Sequence, residues 1–203
     1  ASGWWDKSAY KEGMVLGDIW GLQFDRFLTE DDFNADGSLK AGLPDQTKVF
    51  PAGYQFAPGD VLYKDLDNNG EIVKQTNTND KGDLSVIGNA LPRLQFGLNL
   101  DAAWKGFDIS MFFQGVAKRK LWAAGNQVLP GFTTGEPFYK GAEDYWTPEN
   151  TDAFYPRPMD YKQSASGNYS VNDRYLLNMA YLRLKTFTVG YSLPKVWLSK
   201  FKV

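Results

Sequence analysis

The chain reads as all-β: antiparallel strands and long outer loops forming part of a transmembrane β-barrel. Three observations point there. Strict two-residue alternation runs from Leu94 to Trp104 and resumes at Phe107. Aromatic residues make up 16% of a chain whose mean hydropathy is only −0.43. Residues 118–171 are dense in Gly, Pro, Asn and aromatics with little periodicity, a loop length common on the outer side of barrels and unusual inside a compact domain. Membrane barrels are aromatic-rich yet polar because lumen-facing polar residues alternate with lipid-facing apolar ones and aromatics collect at the interfaces. Carbohydrate-binding β-domains share that composition, and a soluble sandwich hairpin shows the same alternation, so the pattern alone leaves both open.

Composition narrows the function classes. At 203 residues and 43% hydrophobic content the chain can hold one domain or be a fragment of something larger. A formal charge of −2 supplies no basic surface for phosphate contacts, which sets nucleic-acid binding aside. There is no Cys and no His, so thiol nucleophiles, disulfides, the usual zinc ligands and histidine-based acid–base catalysis are excluded. No apolar run approaches the ~20 residues of a spanning helix, and the opening ASGWWDKSAY lacks the basic and apolar regions of a signal peptide. For an exported protein, the signal is then expected outside this sequence.

Residues 1–60 read as strands and long loops, with a turn at Ala35-Asp36-Gly37-Ser38. Gly13, Gly17 and Gly21 fall four apart, but outside any long apolar stretch they read as strand and turn glycines rather than a helix-pairing motif. Next, Asp65-Leu66-Asp67-Asn68-Asn69-Gly70-Glu71-Ile72 matches the opening of a calcium loop, with oxygen donors at Asp65, Asp67, Asn69 and Glu71 and glycine at the sharp turn. Position twelve is Thr76, so a complete EF-hand is disfavoured. Asp80 or Asp83 would complete a site of another shape, and a metal-free turn held by Asp and Asn side chains is the alternative.

The hairpin comes next. Leu94, Phe96, Leu98, Leu100, Ala102 and Trp104 share one phase, and Gln95, Asn99 and Asp101 share the other. Lys105-Gly106 makes a tight turn, after which Phe107, Ile109, Met111 and Phe113 alternate with Asp108, Ser110 and Gln114. Leu94 to Trp104, tilted by about 45° at roughly 3.3 Å per residue, rises close to the ~25 Å of a lipid-facing band. In a barrel, lipid would meet Leu94, Phe96, Leu98, Leu100, Trp104, Phe107, Ile109, Met111 and Phe113. The lumen would be lined by Gln95, Asn99, Asp101, Asp108, Ser110 and Gln114, with Trp104 and Phe107 at the interfacial girdle. A third strand is expected over Tyr181 to Leu193, closed by Pro194. Its phase slips between Leu184 and Phe187, which calls for a bulge near Lys185 or Thr186.

Candidates for chemistry are weak. Glu143, Asp144 and Glu149 are acidic neighbours, but sequence cannot set a pair at glycosidase separation. Lys118-Arg119-Lys120 reads as a solvated strand end, and neither a phosphate-binding Gly loop nor a Ser nucleophile motif is present.

Several stretches, in this order, resemble the C-terminal part of the SusC/RagA family of TonB-linked outer-membrane proteins. They are Pro58-Gly59-Asp60-Val61 running into Tyr63 to Ile72, Asp83 with Ile87-Gly88-Asn89 and Pro92, and Phe96-Gly97 with Lys105-Gly106-Phe107-Asp108 and Phe113-Gln114-Gly115. Downstream follow Trp146-Thr147-Pro148-Glu149-Asn150, Tyr155-Pro156-Arg157, and Tyr181-Leu182-Arg183-Leu184-Lys185 with Gly190 to Pro194. The resemblance runs over about residues 13 to 200; Asn69 stands where the family often has Asp. It implies that 1–203 is a C-terminal barrel fragment, with the plug, the N-terminal barrel strands and the closing strand outside it. It further implies a TonB-dependent importer, not an enzyme, in the cell outer membrane of a Gram-negative bacterium. Its expected partners are outer-membrane lipid, a SusD-like lipoprotein, TonB through a region absent here, and a glycan or peptide nutrient. The rival expectation is a soluble, secreted β-domain holding carbohydrate on exposed aromatics such as Trp122, Trp146 and Tyr155.

Overall fold

The computed structural model describes residues 14–74, 81–132, 139–159, 167–194 and 197; Gly13, Thr76, Asp80 and the segment 198–203 lie outside the described residues. Among the described residues the elements are β-strands with two short 3-10 turns, and the chain divides into two compact units. Unit 1 comprises Ala1–Ala90 with Leu121–Leu177; unit 2 comprises Leu91–Lys120 with Asn178–Val203.

Unit 1 is held by packed loops more than by sheet. Its strands β1 (Asp18–Gly21), β2 (Phe24–Phe27), β3 (Val61–Tyr63) and β4 (Ser85–Asn89) form two antiparallel pairs, β1 with β4 and β2 with β3. All three residues of β3 are buried, so this strand is covered on both faces. Its second edge is satisfied by side-chain amides. Gln46 Nε2 donates to the Val61 carbonyl at 2.8 Å, Tyr63 N–H donates to Gln46 Oε1 at 3.3 Å, and Val61 N–H donates to Asn168 Oδ1 at 2.8 Å. Two buried carboxamides thus stand in for a missing neighbour strand and leave no bare edge. Around this strand pack Leu22, Phe27, Val49, Ile72, Leu84 and Trp146. After β2, Asp32 closes a 3-10 turn (Glu30–Asp32) by taking both Arg26 guanidinium nitrogens at 2.5 and 2.7 Å and the Thr29 N–H at 2.8 Å. The Arg26 contact, with Thr29, pulls the Asp32 carboxyl down to about 2 despite partial burial. A second cluster gathers Leu129, Tyr169 and Tyr175, with Trp122, Phe132 and Tyr155 against it.

Unit 2 is one antiparallel sheet in the order β5-β6-β9, of β5 (Gln95–Trp104), β6 (Phe107–Val116) and β9 (Tyr181–Tyr191). The short pair β7 (Lys120–Leu121) and β8 (Leu177–Asn178) falls where the chain passes from one unit to the other. The expected hairpin is present, with β5 beginning one residue later than Leu94. Lys105 (φ 47°) and Gly106 (φ 88°) both have positive φ, the two-residue turn whose twist matches a hairpin. Ten register pairs follow without a break, from Trp104 opposite Phe107 to Gln95 opposite Val116. β9 pairs with β6 with one register shift: Phe112 faces Thr186 and Phe113 faces Leu184, leaving Lys185 unpaired. This is the bulge that the phase slip demanded. β9 stops at Tyr191 rather than Leu193, because the Ser192 N–H turns to donate to the Gly106 carbonyl at 2.7 Å and Pro194 has no N–H to give.

Gly59 shows how tightly unit 1 is closed. Its φ is +90°, and a Cβ there would meet the Trp146 ring at 2.5 Å and Arg157 Cβ at 2.9 Å. Gly59→Ala is expected to lower stability by about 2–4 kcal/mol, from left-handed strain plus overpacking. Gly141→Ala, where nothing lies within 4 Å, is expected to stay within about 0.5 kcal/mol. Urea melts followed by tryptophan fluorescence measure both, and equal midpoints would contradict this packing.

Candidate functional site

The sheet of unit 2 has two chemically distinct faces. Register puts Phe96, Leu98, Leu100 and Trp104 on the same side as their partners Gly115, Phe113, Met111 and Phe107, with Ile109 between. Leu94 lies just ahead of β5, with its carbonyl accepting the Ala117 N–H at 2.9 Å. Because of the bulge, β9 adds Leu182 and Leu184 as well as Phe187, Val189 and Tyr191 to this side. Those β9 residues were missing from the sequence-based list; counting both phases through the bulge recovers them. The apolar side is open: Leu98 is 49% exposed, Phe187 59% and Trp104 71%. Gln95, Asn99, Asp101, Asp108, Ser110 and Gln114 share the opposite side, as their alternation predicts, joined by Arg183, Thr186 and Thr188 of β9. Arg183 donates to Gln114 Oε1 at 3.4 Å on that side.

The acidic turn in unit 1 folds around its own backbone. Asp65 accepts the N–H groups of Asn68 and Gly70, each at 2.7 Å, and Asn69 Oδ1 accepts the Glu71 N–H at 2.7 Å. Asn68 takes φ 59° and Gly70 φ 84°. Glu71 does not converge with the aspartates; its carboxylate pairs with Lys48. Asp83 takes its place. Fully buried, Asp83 accepts the Leu66 and Val73 N–H groups, each at 2.8 Å, and its carboxylate lies with those of Asp65 and Asp67, oxygens within 4.8 Å of one another. The Asp67 carboxyl is pushed above its usual range by desolvation and by the charges of Asp83 and Asp65.

A third constellation joins segments far apart in sequence. Asp60, fully buried, accepts Tyr54 Oη at 2.8 Å, Ala57 N–H at 2.9 Å, Arg157 Nε at 2.8 Å and Asn168 Nδ2 at 3.0 Å. Burial opposes the Arg157 charge, but hydrogen bonds and attraction from Asp60, with Tyr54, outweigh it and raise the guanidinium pKa. The Tyr54 hydroxyl is pushed up by burial and then by Asp60, and so stays protonated. Trp146 sits over Gly59 beside this pair and is only 6% exposed. The expectation of Trp146 as an exposed sugar platform is therefore corrected: glycine at 59 opens a slot that the indole fills. Trp122 is half-buried against the Leu129 cluster, whereas Tyr155 does line a cavity.

Long antiparallel strands with one apolar and one polar side fit a section of β-barrel wall, and among the described residues the outer edges of β5 and β9 are unpaired and no barrel closes. No family model matches the chain. It is similar to TonB-dependent receptor P3 of Formosa agariphila, 28% identical over 196 residues covering 94% of the chain and 16% of that protein. It is also similar to TonB-dependent receptor P26 of the same organism, 34% identical over 132 residues covering 63% of the chain and 12% of that protein. The chain thus spans a small part of the length of these relatives. TonB-dependent receptors are β-barrels of the Gram-negative outer membrane, which agrees with the all-β wall described above.

Removing Arg157 leaves a buried, unpaired carboxylate. Arg157→Met is expected to destabilise unit 1 by about 3–5 kcal/mol, and adding Asp60→Asn to recover part of that loss. A double-mutant cycle in urea checks it; additive losses would mean that the two groups do not act as a pair.

Proposed function

We propose that this chain forms part of the wall and outer loops of a TonB-dependent importer of the SusC/RagA type, which works with a SusD-like surface lipoprotein to take up glycans or other bulky nutrients. The carrying observation is the open three-stranded sheet with one continuous apolar side. In this reading the side of Leu98, Met111 and Phe187 meets lipid, and the side of Asn99, Ser110 and Thr188 lines the lumen. Connectivity supports an orientation. Gln95, Val116 and Tyr181 are cross-strand partners at one end of the sheet, and through that end the chain runs into both segments of unit 1. The other end carries the two-residue turn. Barrels have short periplasmic turns and longer extracellular loops, so Lys105-Gly106 faces the periplasm and unit 1 supplies outer loops. Trp104, with Lys105 Nζ 4.8 Å from its ring centre, then marks the inner interface. The SusC/RagA subtype and its lipoprotein partner rest on the ordered motifs from Pro58 to Pro194. Energy comes from TonB through a region outside this sequence, with no chemistry assigned to the chain itself.

The deciding experiment places one charge on either side of the sheet. Leu98→Lys should cost about 2–4 kcal/mol at lipid midplane and sharply reduce folded protein in outer-membrane fractions, while Asn99→Lys should leave assembly intact. Equal tolerance at both positions, or a protein that stays in solution without detergent, would overturn the reading.

The acidic turn belongs to the same proposal as a calcium site held by Asp65, Asp67 and Asp83, with Asn69 adjacent. Three carboxylates whose oxygens lie within 4.8 Å of one another are hard donors that suit a divalent cation. Titration with calcium chloride alone should give saturable heat and a raised melting midpoint, both lost in Asp67→Asn. Silence at millimolar calcium would assign the turn to hydrogen bonding alone.

A further inference from the structure

The cluster around Asp60 contains a sulfur. Met159 Sδ lies 2.9 Å from Tyr54 Oη and 3.2 Å from Asn168 Nδ2, both in acceptor geometry. The same two groups donate to Asp60 Oδ1, at 2.8 and 3.0 Å. Thioether and carboxylate therefore share a pair of donors. Three segments distant in sequence meet here, and the backbone holds them: Arg157 N–H donates to the Gly59 carbonyl at 3.1 Å, two residues ahead of Met159. Asp60 and Asn168 are fully buried, whereas Met159 and Tyr54 are half-buried and form the more accessible edge of the cluster. A phenol has one proton to give, and a carboxylate is a far better acceptor than a thioether. With sulfur reduced, the Tyr54 proton goes to Asp60, while the two hydrogens of the Asn168 amide serve both acceptors.

We infer that Met159 is a site of reversible oxidation whose sulfoxide releases the Asp60 anchor. The co-reactant is a hydroperoxide. A sulfur lone pair attacks the outer peroxide oxygen, and the S–O bond forms as the O–O bond breaks. The proton on the transferred oxygen passes to the departing one, which leaves as water or an alcohol. Sulfur is oxidised, the peroxide is reduced, and no further reagent is needed. The change converts a weak, apolar acceptor into a polar one. Oxygen is added on a lone pair, the direction in which a donor now stands, and gaps of 2.9 and 3.2 Å leave no room for it. Tyr54 or Asn168 must then shift and bond to the sulfoxide oxygen. Each donor drawn away is lost to Asp60, and a buried carboxylate with an unfilled lone pair is costly.

The intact protein is treated with hydrogen peroxide. Peptide mass spectrometry follows sulfoxide formation at each methionine, and thermolysin cleavage within residues 50–63 follows opening of the loops. Met159 is expected to be oxidised, and cleavage to become about ten- to a hundredfold faster, since proteolysis tracks the population of the open form. Treatment with both methionine sulfoxide reductases, one for each epimer, should restore the slow rate. Met159→Leu keeps the volume and should cleave at one rate before and after peroxide, which separates this sulfur from those of Met111 and Met179. The reductase arm uses the unaltered protein, so the test stands even where Met159→Leu folds poorly. Met159 staying reduced while Met179, 37% exposed, is oxidised would overturn the inference. So would a Met159 sulfoxide that leaves cleavage unchanged, or a peroxide response that survives in Met159→Leu. None of these outcomes bears on the import reading, which is carried by the sheet of unit 2.

Discussion

Unit 1 depends on the buried carboxylate of Asp60. A charge taken out of water costs several kcal/mol unless its lone pairs are filled, and here donors arrive from Tyr54, Ala57, Arg157 and Asn168. Those donors lie on segments with few regular hydrogen bonds of their own, so the anion gives them a shared anchor in place of a sheet. Gln46 and Asn168 do comparable work for β3 by replacing a neighbour strand with side-chain amides. Long excursions become ordered this way without the area that a large core would supply.

Unit 2 follows a different rule. Its sheet is apolar on one side, polar on the other, and exposed on both, which water alone would penalise through the greasy side. A bilayer would reverse that penalty while making every unpaired backbone group costly, so in the proposed barrel the outer edges of β5 and β9 would pair with further strands. In the proposed barrel the two units would answer to two solvents: loops organised by buried charge and amide hydrogen bonds in water, and a wall organised by side-chain parity in lipid.

The sheet is legible in the sequence because alternation is local. Leu94 to Trp104, the Lys105-Gly106 turn and the Lys185 bulge each follow from phase counting over a few residues. The arrangement of unit 1 is not, because it depends on meetings between distant positions. Pro58-Gly59-Asp60, Trp146 and Tyr155-Pro156-Arg157 stand out as motifs, yet nothing local says that Gly59 receives the indole or that Asp60 takes the guanidinium. The calcium-like turn is intermediate: its bend and Asp hydrogen bonds are local, while the replacement of Glu71 by Asp83 is a tertiary event. Trp146 went into the core rather than onto the surface for the same reason, since the slot that holds it is made by a glycine far upstream.

The two-residue turn at Lys105-Gly106 also sets an order of events as the chain folds. Closing β5 on β6 needs only a small loop, so its entropy cost is low and the ten register pairs can zip from the turn outward within microseconds. β9 can join only after residues 117–180 have been accommodated, a contact of high sequence separation and hence a slow one. Until then β6 presents an open hydrogen-bonding edge bordered by apolar side chains, the form most prone to wrong pairing. The hairpin is therefore the expected first-formed element, and the interval before β9 docks is when a wall of this kind would gain most from a chaperone or an already formed barrel edge beside it.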